Sequence, residues 1–153
     1  MILILIYTGM RINELLDLKK ENIFIEERYF IAGSKTEAGK NRLILLHKDL
    51  IPLIKRKYKE IDEYFIDNKG KKIKYKTARL RFDYALKRIG LPPHKPHDTR
   101  HTFATLINNA GANSTAITNI MWHSDFKLIE KVYTHKDKTE LIKAIDLLDL
   151  KQG

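Results

Sequence analysis

Three short apolar runs, Asn22–Ile25, Arg28–Ala32 and Arg42–Leu46, lie close together in a chain whose other apolar residues recur at helical spacing. Glu26-Glu27 separates the first two runs, and Gly33 to Asn41 separates the last two. Together they read as a small antiparallel meander. The fold class this implies is α+β: mainly α-helical, with a small three-stranded antiparallel sheet near the N-terminus.

The helical pattern sets in on both sides of the meander. Ile12, Leu15, Leu16 and Lys19 follow a helical period, with Thr8 as the expected N-cap. Asp49–Lys59 carries an early Pro52, tolerated in a first turn, and sets Leu53, Ile54 and Tyr58 on one side. Tyr64–Ile66 reads as a short extended piece before the Asn68-Lys69-Gly70 turn. Lys76–Ile89 places Leu80, Tyr84 and Ile89 near helical spacing, and Gly90 with Pro92-Pro93 ends it. His97–Ala110 follows, with Phe103, Ala104, Leu106 and Ile107 expected inward and Gly111 as its stop. Shorter helices are expected around Ser114–Met121, Lys127–Tyr133 and Thr139–Leu148.

A length of 153 residues fits one domain with a real core, without repeats or linkers to divide it. There is no cysteine, which removes disulfides, Cys-ligated zinc and thiol nucleophiles, and suits a reducing compartment. The longest apolar run, Met1–Tyr7, is too short to span a membrane and lacks the flanks of a signal peptide. The net charge of +10 is uneven: Lys35 to Arg100 holds 19 Lys/Arg against 8 Asp/Glu, and the remainder is nearly balanced. A polyanion-binding face has this charge pattern, as does a lysine-rich solvated surface.

Four clusters could carry chemistry. In Thr8-Gly9-Met10-Arg11 with Glu14-Leu15, a guanidinium in a first helical turn suits an anion, and Glu14 can steady it. An ordinary surface ion pair has the same spacing. In His97-Asp98-Thr99-Arg100-His101, His97 and Arg100 can enter one pocket from a helix start. His97 and His101 also have zinc-ligand spacing, but Asp98 replaces the usual Glu and Arg100 would set a fixed positive charge beside the metal. Lys35 sits on the hairpin between two strands, where it either is solvated or folds over a phosphate as a proton donor. In the fourth cluster, Met121 to Asp125 and Lys131 to His135, Tyr133 is one of seven tyrosines and either packs in a core or interface or attacks phosphorus, if a base takes its proton and cations neutralise the phosphate. Glycine-rich phosphate loops and clustered carboxylates for two metals are both missing, so phosphoryl chemistry here would run on Arg, His, Lys and Tyr.

Taken in order, these clusters resemble the tyrosine recombinase (phage integrase) family, with His123-Ser124 completing the set. The resemblance covers nearly the whole chain, from Ile2 to the helix after Tyr133. It implies the recombinase catalytic-domain fold and, as function, site-specific DNA recombination or integration by strand cleavage and rejoining. Under it, Arg11 and Arg100 clamp the non-bridging oxygens of the scissile phosphate and His123 adds a hydrogen bond. Tyr133 attacks phosphorus to form a 3′-phosphotyrosyl link, Lys35 protonates the leaving 5′ oxygen, His97 handles the tyrosine proton and Glu14 supports the site. No cofactor or metal is implied. The partner implied is double-stranded DNA, bound by a monomer that becomes a tetramer on synapsed DNA, in the cytoplasm and associated with the nucleoid.

Two departures stand out. Met121-Trp122 replaces the family's Leu-Gly before His123. The chain also begins almost at the Arg11 motif, so residues 1–153 are expected to form a single catalytic domain lacking the N-terminal DNA-clamping domain. Thr139–Leu150 is amphipathic enough to dock in trans on a neighbouring subunit or to pack on its own core, the latter expected off DNA. The competing readings are a DNA-binding remnant that joins nothing, a His-based metallohydrolase built on His97 and His101, and a type IB topoisomerase.

Overall fold

The computed structural model describes residues 1–33, 42–121 and 135–148, with backbone alone at 135–137. Lys35, His123, Tyr133 and the helix expected over Lys127–Tyr133 lie outside the described residues. The apolar start of the chain is helix α1 (Ile2–Thr8), followed by α2 (Ile12–Asp17). The sheet comprises β1 (Ile23–Phe24), β2 (Tyr29–Ala32) and β3 (Arg42–Leu45). A 3₁₀ turn, Lys48–Leu50, leads into α3 (Ile51–Glu60), and a small hairpin of β4 (Asp67–Asn68) and β5 (Lys71–Lys72) follows. Four further helices complete the described chain: α4 (Tyr75–Arg88), α5 (Asp98–Asn109), α6 (Ser114–Met121) and α7 (His135–Ile145). Among the described residues, no helix is long and apolar enough to cross a membrane.

The meander is as the sequence predicts, antiparallel in the order β1-β2-β3, with Phe30 opposite Ile44 and Ala32 opposite Arg42. Strand β3 is buried on both faces, and its two-residue alternation sorts the core. Ile44 joins Leu5, Leu15, Phe30, Ile54 and Phe65 on one side. Leu43 and Leu45 join Phe103, Ile107, Met121, Leu141 and Ile145 on the other. Arg42 is two residues before Ile44 and therefore shares the side that faces α1 and α2.

Several expectations change. Thr8 ends α1 instead of capping α2; its hydroxyl donates to the Ile4 carbonyl, and the N-cap of α2 is Arg11. On α4 the buried row is Ala78, Phe82 and Leu86, whereas Leu80, Tyr84 and Ile89 are exposed. Both rows have near-helical spacing, and packing selects the one that carries Phe. Leu106 of α5 is exposed while Phe103 and Ile107 are fully buried, so the inward face is narrower than the apolar run suggested. Helix α7 begins four residues before the expected start and packs on its own chain through Leu141, Ala144 and Ile145. Arg28, at φ 62° in the β1–β2 turn, grips the end of that helix with two nitrogens on the Asp146 carboxylate.

Candidate active site

Arg11 and Arg42, from distant parts of the sequence, lie against one carboxylate, that of Glu14, and Arg100 is near enough to feel its charge. Arg11 has extended backbone angles as the N-cap of α2, and the unsatisfied donors of that first turn need a partner. Glu14 supplies it: one oxygen accepts from the Arg11 backbone N–H at 2.6 Å, the other from Arg11 Nη1 at 2.9 Å. The Glu14 side chain is 1% exposed and that of Arg11 45%, so a buried carboxylate holds a solvent-facing guanidinium. The pair that resembled an ordinary surface contact is thus half inside the protein.

Arg100 enters from the first turn of α5. Its Nη1 donates to the Gly9 carbonyl and its Nη2 to the Met121 carbonyl, tying the α1–α2 junction to the last residue of α6. Gly9 is at φ 62°, and a Cβ there would sit 2.4 Å from a ring carbon of Phe103. Only glycine lets α1 lie this close to α5 and turn its carbonyl toward Arg100. Burial pushes the Arg100 guanidinium below its ordinary value, and the charge of Arg11 adds to this, while Glu14 opposes it.

Arg42 completes the cluster, and the sequence pattern had marked it only as the start of a strand. It is 1% exposed, with Nη1 3.6 Å from Glu14 Oε1. Burial pushes it down to about 10; Glu14 works against the shift, and Arg100 and Arg11 reinforce it. Its one sequence signal is a lone guanidinium opening an otherwise apolar strand, a position where a charge survives burial only beside a counter-charge.

His97 is the N-cap of α5 and exposed. The turn that carries it is fixed from two sides: Asp98 accepts from the Lys95 backbone N–H at 2.9 Å, and the Thr99 hydroxyl donates to the Pro96 carbonyl at 2.6 Å. His97 and Arg11 line the same cavity of about 660 Å³, with Tyr75, Arg79 and Lys95 on its other walls. His97 and His101 meet edge to face, with ring centroids 5.2 Å apart. Among the described residues no group of three His, Asp or Glu comes close enough to hold a metal.

Of the residues singled out in the sequence, Arg11, Glu14 and His97 therefore line one cavity, and Arg100 is fixed beside them by the Gly9 and Met121 carbonyls. Lys35, His123 and Tyr133 lie outside the described residues, although Met121, held by Arg100, is two positions before His123. Three arginines against one glutamate give the described cluster an excess of two positive charges, suited to an anion whose charge grows during reaction.

Comparison with known proteins identifies the family and the fold. The sequence profile of the phage integrase family matches residues 1–140. The chain is 34% identical over 138 residues to tyrosine recombinase XerA of Saccharolobus solfataricus, covering 86% of this chain and 43% of that protein. It spans about half the length of the curated relatives it matches. The fold superposes on the integrase from mycobacterium phage Brujita with a TM-score of 0.73 at 19% identity, over 97% of this chain and 50% of that one. It also superposes on XerH site-specific recombinase, solved bound to a palindromic difH substrate in a post-cleavage complex. There the TM-score is 0.64 at 26% identity, over 94% of this chain and 43% of that one. The match of the family profile over most of the chain, together with the 34% identity to a tyrosine recombinase, places this chain in the phage integrase family of tyrosine recombinases.

Proposed function

We propose that this chain is the catalytic portion of a DNA strand transferase that cuts and rejoins double-stranded DNA through a 3′-phosphotyrosyl intermediate. The observation that carries the reading is a pair of arginines held in fixed positions, Arg11 by the buried Glu14 beside a cavity that His97 also lines, and Arg100 by the Gly9 and Met121 carbonyls. In this reading Arg11 and Arg100 grip the non-bridging oxygens of one phosphate, and His123 adds a third contact. Tyr133 attacks the phosphorus; the bond to the 5′ oxygen breaks as Lys35 delivers a proton to it, and His97 takes up the tyrosine proton. Attack by a second 5′ hydroxyl on the phosphotyrosine reverses the sequence and restores the diester, so bond energy is conserved without ATP.

Arg11 and Arg100 take the charge-neutralising role that Mg²⁺ plays in many phosphoryl transfers. Cleavage therefore proceeds in the presence of EDTA. A nicked duplex that loses its short 5′-hydroxyl strand on cleavage traps the intermediate. On a denaturing gel the wild-type protein is expected to give a covalent protein–DNA band in EDTA, and Tyr133→Phe none. DNA binding with no covalent band would overturn strand transfer in favour of simple DNA binding, and a band abolished by EDTA would overturn the metal-free chemistry.

A further inference from the structure

Arg42 has no place in the strand-transfer scheme, yet it is among the most buried side chains of the protein. Its Nε, Nη1 and Nη2 have no hydrogen-bond partner among the described residues. A buried guanidinium left without hydrogen bonds is costly and calls for a reason. Its nearest charge is Glu14, at 3.6 Å, and Glu14 is also the residue that holds Arg11.

The charge balance supplies the reason. With Arg11 alone as partner, the buried carboxylate would neutralise the guanidinium meant for the phosphate. A second cation behind the carboxylate, inaccessible to substrate, satisfies the negative charge from inside. Arg11, which is 45% exposed, then keeps its positive charge available to an incoming anion while Glu14 still fixes its direction. Strand alternation makes the arrangement possible, because Arg42 shares the face of Ile44 that packs toward α2. Burial and the charges of Arg100 and Arg11 all disfavour a cation at this place, and Glu14 alone among the named charges favours one.

We infer that Arg42 is a positioning residue that acts through Glu14, serving as the internal counter-charge that leaves Arg11 free to bind a DNA phosphate. Its functional part rests on the strand-transferase reading above, whereas its electrostatic part concerns Arg11 with no DNA present. Two readouts separate them, taken on wild type, Arg42→Met, Arg42→Lys, Glu14→Gln and the double variant Arg42→Met/Glu14→Gln.

The first readout is the ¹⁵N NMR signals of the Arg11 side chain in DNA-free protein. Arg42→Met is expected to lock the guanidinium onto Glu14, slowing rotation of its terminal nitrogens, and the double variant to release it. Signals of Arg11 that are the same in wild type and Arg42→Met would overturn the inference. The second readout is binding of a 30-base-pair duplex by fluorescence anisotropy across salt concentrations. Arg42→Met is expected to weaken binding roughly tenfold and to flatten the salt slope by about 0.9, the signature of one lost phosphate contact. Arg42→Lys keeps the charge and most of the affinity. The double variant recovers to within about threefold of Glu14→Gln, because no buried carboxylate remains to capture Arg11.

A merely structural Arg42 would leave the double variant as weak as Arg42→Met, and that result would overturn the inference. Wild-type protein that binds no duplex would overturn the strand-transferase reading instead, and the Arg11 signals would still decide the role of Arg42.

Discussion

Gly9 shows how much of the candidate site depends on a residue with no side chain. It ends α1 in the left-handed region, presents its carbonyl to Arg100 and leaves room for the Phe103 ring. Gly9→Ala would set a methyl group against a fully buried ring on a backbone that disfavours any Cβ. The expected loss is about 2–3 kcal/mol of unfolding free energy, read from urea denaturation with an unchanged slope. A loss below about 0.5 kcal/mol would mean that α1 and α5 can separate without cost. At this scale the sequence was informative where chemistry demanded a spacing. Arg11 with Glu14, and His97 with Arg100, were legible because three residues on a helix start bring side chains to one side. Arg42 was not, because its role depends on a strand register and on the burial of a carboxylate 28 positions earlier, neither of which local pattern reveals.

Among the elements, the sheet was readable and the helix faces only partly so. The strands announced themselves through short apolar runs bounded by polar links. Helix α4 carries two apolar rows, Ala78-Phe82-Leu86 and Leu80-Tyr84 with Ile89 beyond them, and no local rule ranks one above the other. Helix α7 illustrates a different gap. Its amphipathic pattern fits docking on its own chain or on a neighbour; Leu141, Ala144 and Ile145 are buried in the core of this chain, with the Arg28–Asp146 pair holding the C-terminal end. Burial alone would raise the Asp146 carboxyl, but the hydrogen bonds from Arg28 and the Lys48 N–H, with the Arg28 charge, outweigh it and hold it below the ordinary carboxylate value. A carboxylate depressed on folding adds stability that is complete above its unfolded value and vanishes as pH falls through the folded one. Asp146→Asn is therefore expected to cost about 1–2 kcal/mol at pH 7, and the gap to wild type to close only as the pH falls below the ordinary carboxylate range. Urea melts at a series of pH values would show this; a gap that stays constant down to the acid limit would contradict it.

Across the whole molecule, the electrostatics follow the uneven charge of the sequence. The excess of Lys and Arg falls between Lys35 and Arg100, and Arg79, Lys95 and Arg100 of that stretch surround or support the same site as Arg11. Under the proposed function, a domain-wide positive field brings in DNA, and the buried arginine–glutamate cluster gives one phosphate a fixed position within it. The most direct test of this account is to digest the trapped protein–DNA complex with trypsin and nuclease and locate the attached nucleotide by mass spectrometry. The expected result is a single modified peptide, Val132–Lys136, carrying a 3′-linked nucleotide on Tyr133. A nucleotide on any other tyrosine, or one linked through its 5′ phosphate, would contradict it.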